Sequence, residues 1–190
     1  MMPAISLLGL SGSLRAQSYS TGILRTLQER TPKRIELRIH DLADVPLYNQ
    51  DRDGTDAPAE VTALRNAIAA ADGLEIVTPE FNYGIPGVLK NALDWASRPY
   101  GAAALRGKPV VTMSASPAFT GGVRAQSQLH ETLLATQSLI VSRPQTVIAQ
   151  VHEKFEGGRL ADPASLEFAW QAVADLLNLV QLNRRGQQTA

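Results

Sequence analysis

Residues 79–95 read Pro-Glu-Phe-Asn-Tyr-Gly-Ile-Pro-Gly-Val-Leu-Lys-Asn-Ala-Leu-Asp-Trp, and this stretch decides the fold. Before it, residues 74–78 are apolar and β-branched, which predicts a short buried strand that Pro79 ends by removing a ladder donor. Pro86 suits the first turn of a helix because its φ is already helical and its missing N–H needs no partner. Apolar residues then recur at helical spacing, namely Leu89, Ala92, Leu93 and Ala96. The stretch therefore predicts a strand, a constrained loop and a helix.

The same alternation of strand and helix recurs on both sides of this stretch. Residues 4–10 form a nearly continuous apolar run, typical of a strand buried in a parallel sheet, and residues 19–30 are predicted as a helix. Residues 34–40 alternate charged and apolar side chains, which favours an edge strand. Further helices are predicted over residues 58–71, over residues 123–138 with Leu129, Leu133 and Leu134 inside, and from residue 163, and further strands over residues 108–113 and 146–149.

Strands and helices in this order predict an α/β fold with right-handed crossovers between parallel strands. Of the two common doubly wound strand orders, 2-1-3-4-5 places strand two at an edge, in agreement with the pattern of residues 34–40. The expected architecture is a flavodoxin-like three-layer sandwich around a five-stranded parallel sheet. We expect residues 1–182 to form this single domain and residues 183–190 to form a polar C-terminal tail.

Composition excludes several classes of function. The 18 basic and 18 acidic residues balance, which leaves no electrostatic footprint for nucleic acid or an anionic membrane surface. The chain has no cysteine, so disulfides and thiol catalysis are excluded and redox chemistry would need a bound cofactor. His40, His130 and His152 show no metal-ligand spacing, and we expect no metal. Residues 4–10 are too few for a signal peptide or a membrane span, so we expect a cytoplasmic protein.

Polar loops follow predicted strands one, three and four. Because the carboxyl ends of parallel strands share one edge of a sheet, we expect the loops beginning at Ser11, Pro79 and Ser114 to converge on one crevice. Residues 11–20 hold four serines and Arg15 at a helix start, which suits a phosphate dianion. A serine-rich helix cap beside a solvated arginine explains the same residues equally well.

Other ligand loops are absent from the sequence. No G-x-G-x-x-G follows the first strand, and no G-x-x-x-x-G-K-[ST] occurs. Residues 9–13 miss the G-x-S-x-G nucleophile elbow because position 13 is serine, so a hydrolase is only weakly supported.

Residues 79–95 resemble the signature of the flavodoxin-like NAD(P)H-dependent FMN reductases, a family that includes bacterial quinone and chromate reductases. Residues 11–20 resemble the phosphate loop of that family, with Ser20 where the family usually has asparagine. The resemblance implies that residues 79–84 lie against the isoalloxazine ring, while the loop after the fourth strand lies near the ring and ribityl chain. The FMN-binding residues that it implies are Ser11, Ser13, Arg15, Ser18, Ser20, Pro79, Glu80, Phe81, Asn82, Tyr83, Gly84, Ser114, Ser116 and Gly121.

The resemblance also implies an activity, that of an FMN-dependent NAD(P)H oxidoreductase. Hydride would pass from NADPH or NADH to flavin N5, and a quinone, free flavin or another oxidised acceptor such as chromate would collect the electrons. The flavin supplies the chemistry, so no catalytic side chain is required. The alternative is a flavodoxin-like carrier that exchanges electrons with protein partners, although such carriers are strongly acidic and this chain is neutral.

Two further loops bear on assembly. Residues 45–51 place Leu47 and Tyr48 in an otherwise acidic segment, and residues 98–100 bring Tyr100 after the third helix. Ordinary surface loops also carry isolated apolar residues. In the resembled family, however, the matching loops meet a neighbouring subunit beside the flavin, which implies a homodimer or homotetramer.

Overall fold

The computed structural model describes residues 4–54 and 56–188, with side chains described as far as residue 186. The strands of its main sheet are β1 (Ile5–Ser11), β2 (Ile35–His40), β3 (Gly73–Thr78), β4 (Pro109–Ser116), β5 (Leu139–Ile140) and β6 (Thr146–Ala149). The α-helices are α1 (Tyr19–Arg30), α2 (Ala59–Ala70), α3 (Gly87–Ala96), α4 (Val123–Ala135) and α5 (Pro163–Gln188). Within the described residues, every helix is too short or too polar to cross a bilayer.

The sheet confirms the predicted strand order, with β2 at one edge, β1 and β3 next, and β4 beyond them. All of these pairs are parallel. The fifth position is shared by two short strands, because β5 pairs with the start of β4 and β6 pairs with Met113–Ser116. Pro144 lies between β5 and β6 and cannot donate to a ladder, which accounts for the interruption.

Helices cover both faces of the sheet, which confirms the three-layer architecture. On one face, α1 and α5 bury Leu24, Leu27 and Leu176 against β-strand side chains that include Leu7 and Val111. The opposite face is covered by α2, α3 and α4, and its buried cluster contains Leu8, Leu10, Leu64, Leu89 and Leu129. Since β1 contributes Leu7 to one cluster and Leu8 to the other, it is buried on both sides, as its apolar run predicts.

Two helix ends differ from the sequence predictions. Helix α4 ends at Ala135, ahead of Gln137, whose φ of 60° is left-handed, and Leu134 is 66% exposed although we expected it inside. Helix α5 continues through Gln188, across the segment that we expected to be a tail. The Arg184 guanidinium donates to the Asp72 carboxylate from Nε at 2.8 Å, which helps to hold this last part of the helix against the body of the fold.

A small hairpin was missed by the sequence reasoning. It consists of β7 (Phe155–Glu156) and β8 (Arg159–Leu160), joined by Gly157 and Gly158, whose φ values are both positive. This is the geometry of a two-residue type I′ turn, and a Gly-Gly pair is the sequence signal that could have found it. The Phe155 ring packs edge-on against Tyr19 at 4.9 Å, so the hairpin braces the start of α1.

Candidate functional site

The connections after β1, β3 and β4 meet at the carboxyl edge of the sheet. We name them loop 1 (residues 12–18), loop 3 (residues 79–86) and loop 4 (residues 117–122). The Gly12 N–H donates to the Val77 carbonyl at 2.8 Å, and a Cβ at position 12 would lie 2.6 Å from Thr78 Oγ1. A Cβ at Gly122 would lie 3.5 Å from Glu80 Cβ. Loop 1 thus lies against the end of β3, directly ahead of loop 3, and loop 4 lies beside Glu80 in loop 3.

Two serines at the ends of loop 1, Ser11 and Ser18, form hydrogen bonds with the start of α1, while other polar groups of loop 1 lie at the surface. Ser18 caps α1, its Oγ accepting from the Thr21 N–H at 3.2 Å, and Ser11 Oγ accepts from Thr21 Oγ1 at 2.8 Å. Both serines are buried. Ser13 is half-buried, and Arg15 is exposed. Apart from the Thr21 N–H, which Ser18 caps, the first-turn N–H groups of α1 have no partner within the helix, so an anion at this point would meet N–H donors, a hydroxyl and a guanidinium.

Two of the predicted cofactor contacts lie beneath the crevice surface. Ser20 sits on the inner side of α1 with 1% of its surface exposed, and its hydroxyl has no hydrogen-bond partner among the described residues. Ser114 is fully buried within β4, and its Oγ accepts from Gln126 Nε2 at 2.9 Å. The sequence placed Ser114 in a loop, but pairing with β6 extends β4 to Ser116.

Loop 4 is shaped by hydrogen bonding and by glycine. Ser116 Oγ accepts from the Ala118 N–H at 3.1 Å, which starts the turn. Gly121 has a φ of 60°, and a Cβ there would lie 2.2 Å from Val147 Cγ1. Position 121 therefore requires glycine, both for its left-handed backbone and for its close approach to β6. Phe119 at the tip is 84% exposed.

Loop 3 contains a two-residue hairpin turn. Phe81 and Gly84 exchange two backbone hydrogen bonds of 3.0 Å, while Asn82 and Tyr83 between them have φ values of 50° and 69°. Two consecutive left-handed residues define a type I′ turn. Asparagine tolerates this conformation, whereas tyrosine is strained in it by about 1–3 kcal/mol. The central N–H groups of such a turn are not used in the hairpin, so those of Asn82 and Tyr83 are available as donors at an exposed tip.

Helix α4 holds the strained turn in place. The Glu80 carboxylate accepts from the Arg124 and Ala125 N–H groups at 2.9 and 3.3 Å, which caps the helix from loop 3. The Arg124 guanidinium donates to Glu80 at 3.1 Å and lies 4.2 Å from the centre of the Tyr83 ring. These contacts occupy the Glu80 carboxylate with α4, and the expected contact of Glu80 with cofactor stays a prediction.

A second contact from α4 was missed by the sequence reasoning. Gln128 Oε1 accepts from the Ile85 N–H at 2.6 Å, and a Cβ on Gly84 would lie 2.4 Å from the same oxygen. Glycine at 84 is therefore explained by close approach of a side chain, since its φ is not in the left-handed region. The partners are 43 residues apart in sequence, and no local pattern links them.

The long loop before α2 packs down beside α3. Asn91 Oδ1 accepts from the Tyr48 N–H at 2.8 Å, and Trp95 Nε1 donates to the Pro46 carbonyl at 2.7 Å. The Tyr48 ring lies edge-on to the buried Trp95 at 4.8 Å. Tyr48 is thus held against α3 while it stays half-buried, and its expected place at a subunit contact stays a prediction. Leu47 beside it is 84% exposed.

A buried acid lies in the middle of the sheet, away from the loops. Glu75 on β3 is fully buried, and neither carboxylate oxygen has a hydrogen-bond partner within the described part of the chain. Burial without a compensating charge raises the pKa of Glu75 to about 8. His130 on α4 is affected in the opposite sense, because burial lowers the pKa of its imidazole. Its Nε2 lies 2.7 Å from Thr112 Oγ1, which ties α4 to β4.

Comparison with known proteins points to one family. The sequence profile of the NADPH-dependent FMN reductases matches residues 5–153. The chain is 37% identical over 177 residues to an NAD(P)H-dependent FMN reductase of Pseudomonas aeruginosa, covering 93% of this chain and 95% of that protein. It is 36% identical over 171 residues to a quinone reductase of Escherichia coli K12, covering 88% and 90%.

A solved structure shows the same architecture. FerB, a flavoenzyme NAD(P)H:(acceptor) oxidoreductase from Paracoccus denitrificans, matches with a TM-score of 0.84 at 30% identity. The match covers 95% of this chain and 99% of FerB. The likeness thus extends over nearly the whole chain.

Proposed function

The chain belongs to the NADPH-dependent FMN reductase family, and we propose that it is an NAD(P)H-dependent quinone reductase that works through bound FMN. Quinones are favoured as acceptors because relatives in Escherichia coli and Pseudomonas putida are named quinone reductases. A relative from a Burkholderia species, 39% identical over 145 residues, is named a 2-hydroxy-1,4-benzoquinone reductase. Free flavin and chromate are further candidate acceptors.

The single observation that carries this proposal is the strained turn at Asn82 and Tyr83. Its two outward N–H donors are rigidly held by Glu80 and Gln128, beside a loop that suits an anion. An exposed pair of oriented N–H groups fits the carbonyl and nitrogen edge of an isoalloxazine ring. A strained backbone conformation that neighbouring residues hold in place is typical of a ligand-binding position.

The donor set of loop 1 fits the phosphate end of FMN. Ser13, Arg15 and the start of α1 together offer a hydroxyl, a bidentate cation and helix N–H groups, which is the chemistry that a phosphate dianion selects. Ser11 and Ser18 are buried, so they act indirectly on the phosphate site, by fixing the shape of loop 1 and the start of α1. The residues present therefore fit FMN at both ends.

The side chains of this protein bind and orient the flavin in this proposal, and none of them is required to move a proton. When bound, FMN supplies the hydride and electron transfer between nicotinamide and acceptor. Phe81 and Tyr83 belong to the turn and Phe119 to loop 4, and all three rings are exposed, which suits stacking with planar molecules. An electron carrier is less well supported, because the net charge is 0 and the relatives are named reductases.

We further infer a homo-oligomer in which a second copy borders the crevice. Leu47 and Tyr100 are 84% and 92% exposed, on two loops next to α3. Exposed aromatic and aliphatic side chains near one site favour an interface, and a two-fold symmetric dimer or a dimer of dimers is expected. A cytoplasmic location and a single FMN-binding domain complete the proposal.

The test is steady-state NAD(P)H oxidation by FMN-loaded protein with 1,4-benzoquinone. Wild type should turn over without any protein partner. Gln128→Leu removes the acceptor for the Ile85 N–H and should weaken FMN binding about fivefold, since one hydrogen bond is worth about 1 kcal/mol and this one supports the strained turn. Gln128→Glu keeps an oxygen at that position and serves as the matched control. Absence of turnover in FMN-loaded wild type would overturn the proposal.

A further inference from the structure

A cavity of about 470 Å³ lies on the side of loop 1 that faces β2. One wall is formed by loop 1 and α1, including Ser13, Arg15 and Arg25, and the other by the end of β2, including His40 and Asp41. Its volume falls within the range of roughly 300–1,000 Å³ of small-molecule sites. Loop 3 does not contribute to its lining, so this cavity is separate from the strained turn.

The wall formed by loop 1 and α1 carries two arginines, Arg15 and Arg25, that are not paired with carboxylates of the described residues. Arg15 and Arg25 are both exposed, and neither forms a salt bridge with another described residue. Glu29, one turn after Arg25, is held by Arg159 at 2.7 Å, although Arg25 contributes to lowering its pKa. Guanidinium groups without carboxylate partners are suited to phosphate oxygens.

The wall at the end of β2 offers a ring and a carboxylate. His40 is partly buried, and burial lowers the pKa of its imidazole, which therefore presents an uncharged aromatic face at neutral pH. Asp41 follows β2 directly, and its Oδ1 accepts from the Ala43 N–H at 3.0 Å. In doubly wound folds that bind dinucleotides, a carboxylate in this position accepts a ribose hydroxyl.

The topology places these two walls on the far side of the phosphate loop. Strand β1 lies between β2 and β3, so a ligand whose phosphate lies on loop 1 can extend toward either neighbour. The strained turn occupies the β3 side, and the cavity occupies the β2 side. A dinucleotide crosses the switch point of a doubly wound sheet in this way, with its pyrophosphate over the first loop.

We propose that the cavity receives the adenylate half of a flavin dinucleotide, so that the protein binds FAD as well as FMN. The second phosphate lies between Arg15 and Arg25, the ribose hydroxyls face Asp41, and the adenine stacks on His40. The inference rests on the proposed function, because it takes the flavin half to lie against the turn at Asn82 and Tyr83.

The experiment titrates apo-protein with FMN and with FAD, following flavin fluorescence. Wild type should bind both. Arg25→Ala should weaken FAD binding about tenfold to a hundredfold, because a charge-assisted contact to the second phosphate is lost, and should leave FMN binding within about twofold. Arg30→Ala is the matched control, since Arg30 is an exposed arginine on the same helix outside the cavity lining, and it should change neither flavin.

Several outcomes would overturn the inference. These are FMN binding without measurable FAD binding, a loss of FAD affinity in Arg30→Ala equal to that in Arg25→Ala, or equal affinities for FAD in Arg25→Ala and wild type. Equal weakening of FMN and FAD by Arg25→Ala would also overturn it, because the arginine would then act on the shared phosphate. If neither flavin binds to wild type, the proposed function falls as well.

Discussion

The buried Glu75 should make the free energy of unfolding depend on pH, and equilibrium unfolding can measure this dependence. Its cross-strand neighbours are Gly9 on β1 and Val111 on β4, and neither side chain can donate to a carboxylate. The folded-state pKa of about 8 lies above the ordinary value of 4.5. Folding therefore favours the protonated acid, and the stability that protonation supplies is present in full below pH 4.5 and is lost as pH rises toward 8.

The size of the effect follows from the pKa shift. Each unit of difference corresponds to about 1.4 kcal/mol, so the full loss between pH 4.5 and 8 is about 5 kcal/mol. Between pH 6 and 8 the loss is about 2 kcal/mol, because the folded-state titration is only half complete at pH 8, and this should lower the Tm of a chain of this length by about 4–8 °C. The partly buried His40 and His130 oppose this trend only in the acid range, because a lowered histidine pKa costs stability as pH falls through it.

Urea unfolding at pH 6, 7 and 8 tests this in wild type, Glu75→Gln and Glu75→Leu. Both substitutions remove the titration, so the difference in unfolding free energy between each variant and wild type should grow by about 2 kcal/mol from pH 6 to 8. Glu75→Gln leaves a buried amide and tests how the unfolding free energy changes with pH. Glu75→Leu should also be more stable than wild type at pH 8. Exposed Glu60→Gln is the control. Parallel pH profiles for wild type and both Glu75 variants would refute the reasoning.

Three other predictions concern the flavin and the assembly. Arg15→Ala should weaken FMN about tenfold to a hundredfold and leave riboflavin unchanged, because riboflavin lacks the phosphate; equal wild-type affinities for FMN and riboflavin would contradict this. Gly84→Val places side-chain atoms where Gln128 Oε1 lies and should lower flavin occupancy with an unchanged circular dichroism spectrum, whereas unchanged occupancy would make loop 3 merely structural. Sedimentation at micromolar concentration should give a dimer or larger species, and a fully active 20.5 kDa monomer would exclude a shared site.

The fold was predictable because its signals are local. Apolar runs, helix periodicity and prolines at element ends each act over a few residues, and strand order then follows from the edge-strand pattern of β2. The meeting of the three loops was equally predictable, since the carboxyl ends of neighbouring parallel strands share one edge.

The supports of the site could not be predicted, because they join residues far apart in sequence. Glu80 meets Arg124 across 44 positions, and Gln128 meets Ile85 across 43. Nor does a serine reveal which way it faces, as the burial of Ser20 shows. The isolation of the Glu75 carboxyl depends on its neighbours Gly9 on β1 and Val111 on β4, and it has no signal in the residues beside it in sequence.

The most direct test of the central claim is the visible spectrum of the FMN-loaded protein before and after anaerobic addition of NADPH. The account predicts an oxidised flavin spectrum at equimolar FMN and protein, bleached by NADPH and restored by 1,4-benzoquinone, with no other protein present. Stable binding of FMN that neither NADPH nor NADH bleaches would contradict the reductase and favour a carrier. Failure to bind FMN at all would contradict the assignment of loop 1 and loop 3 as its site.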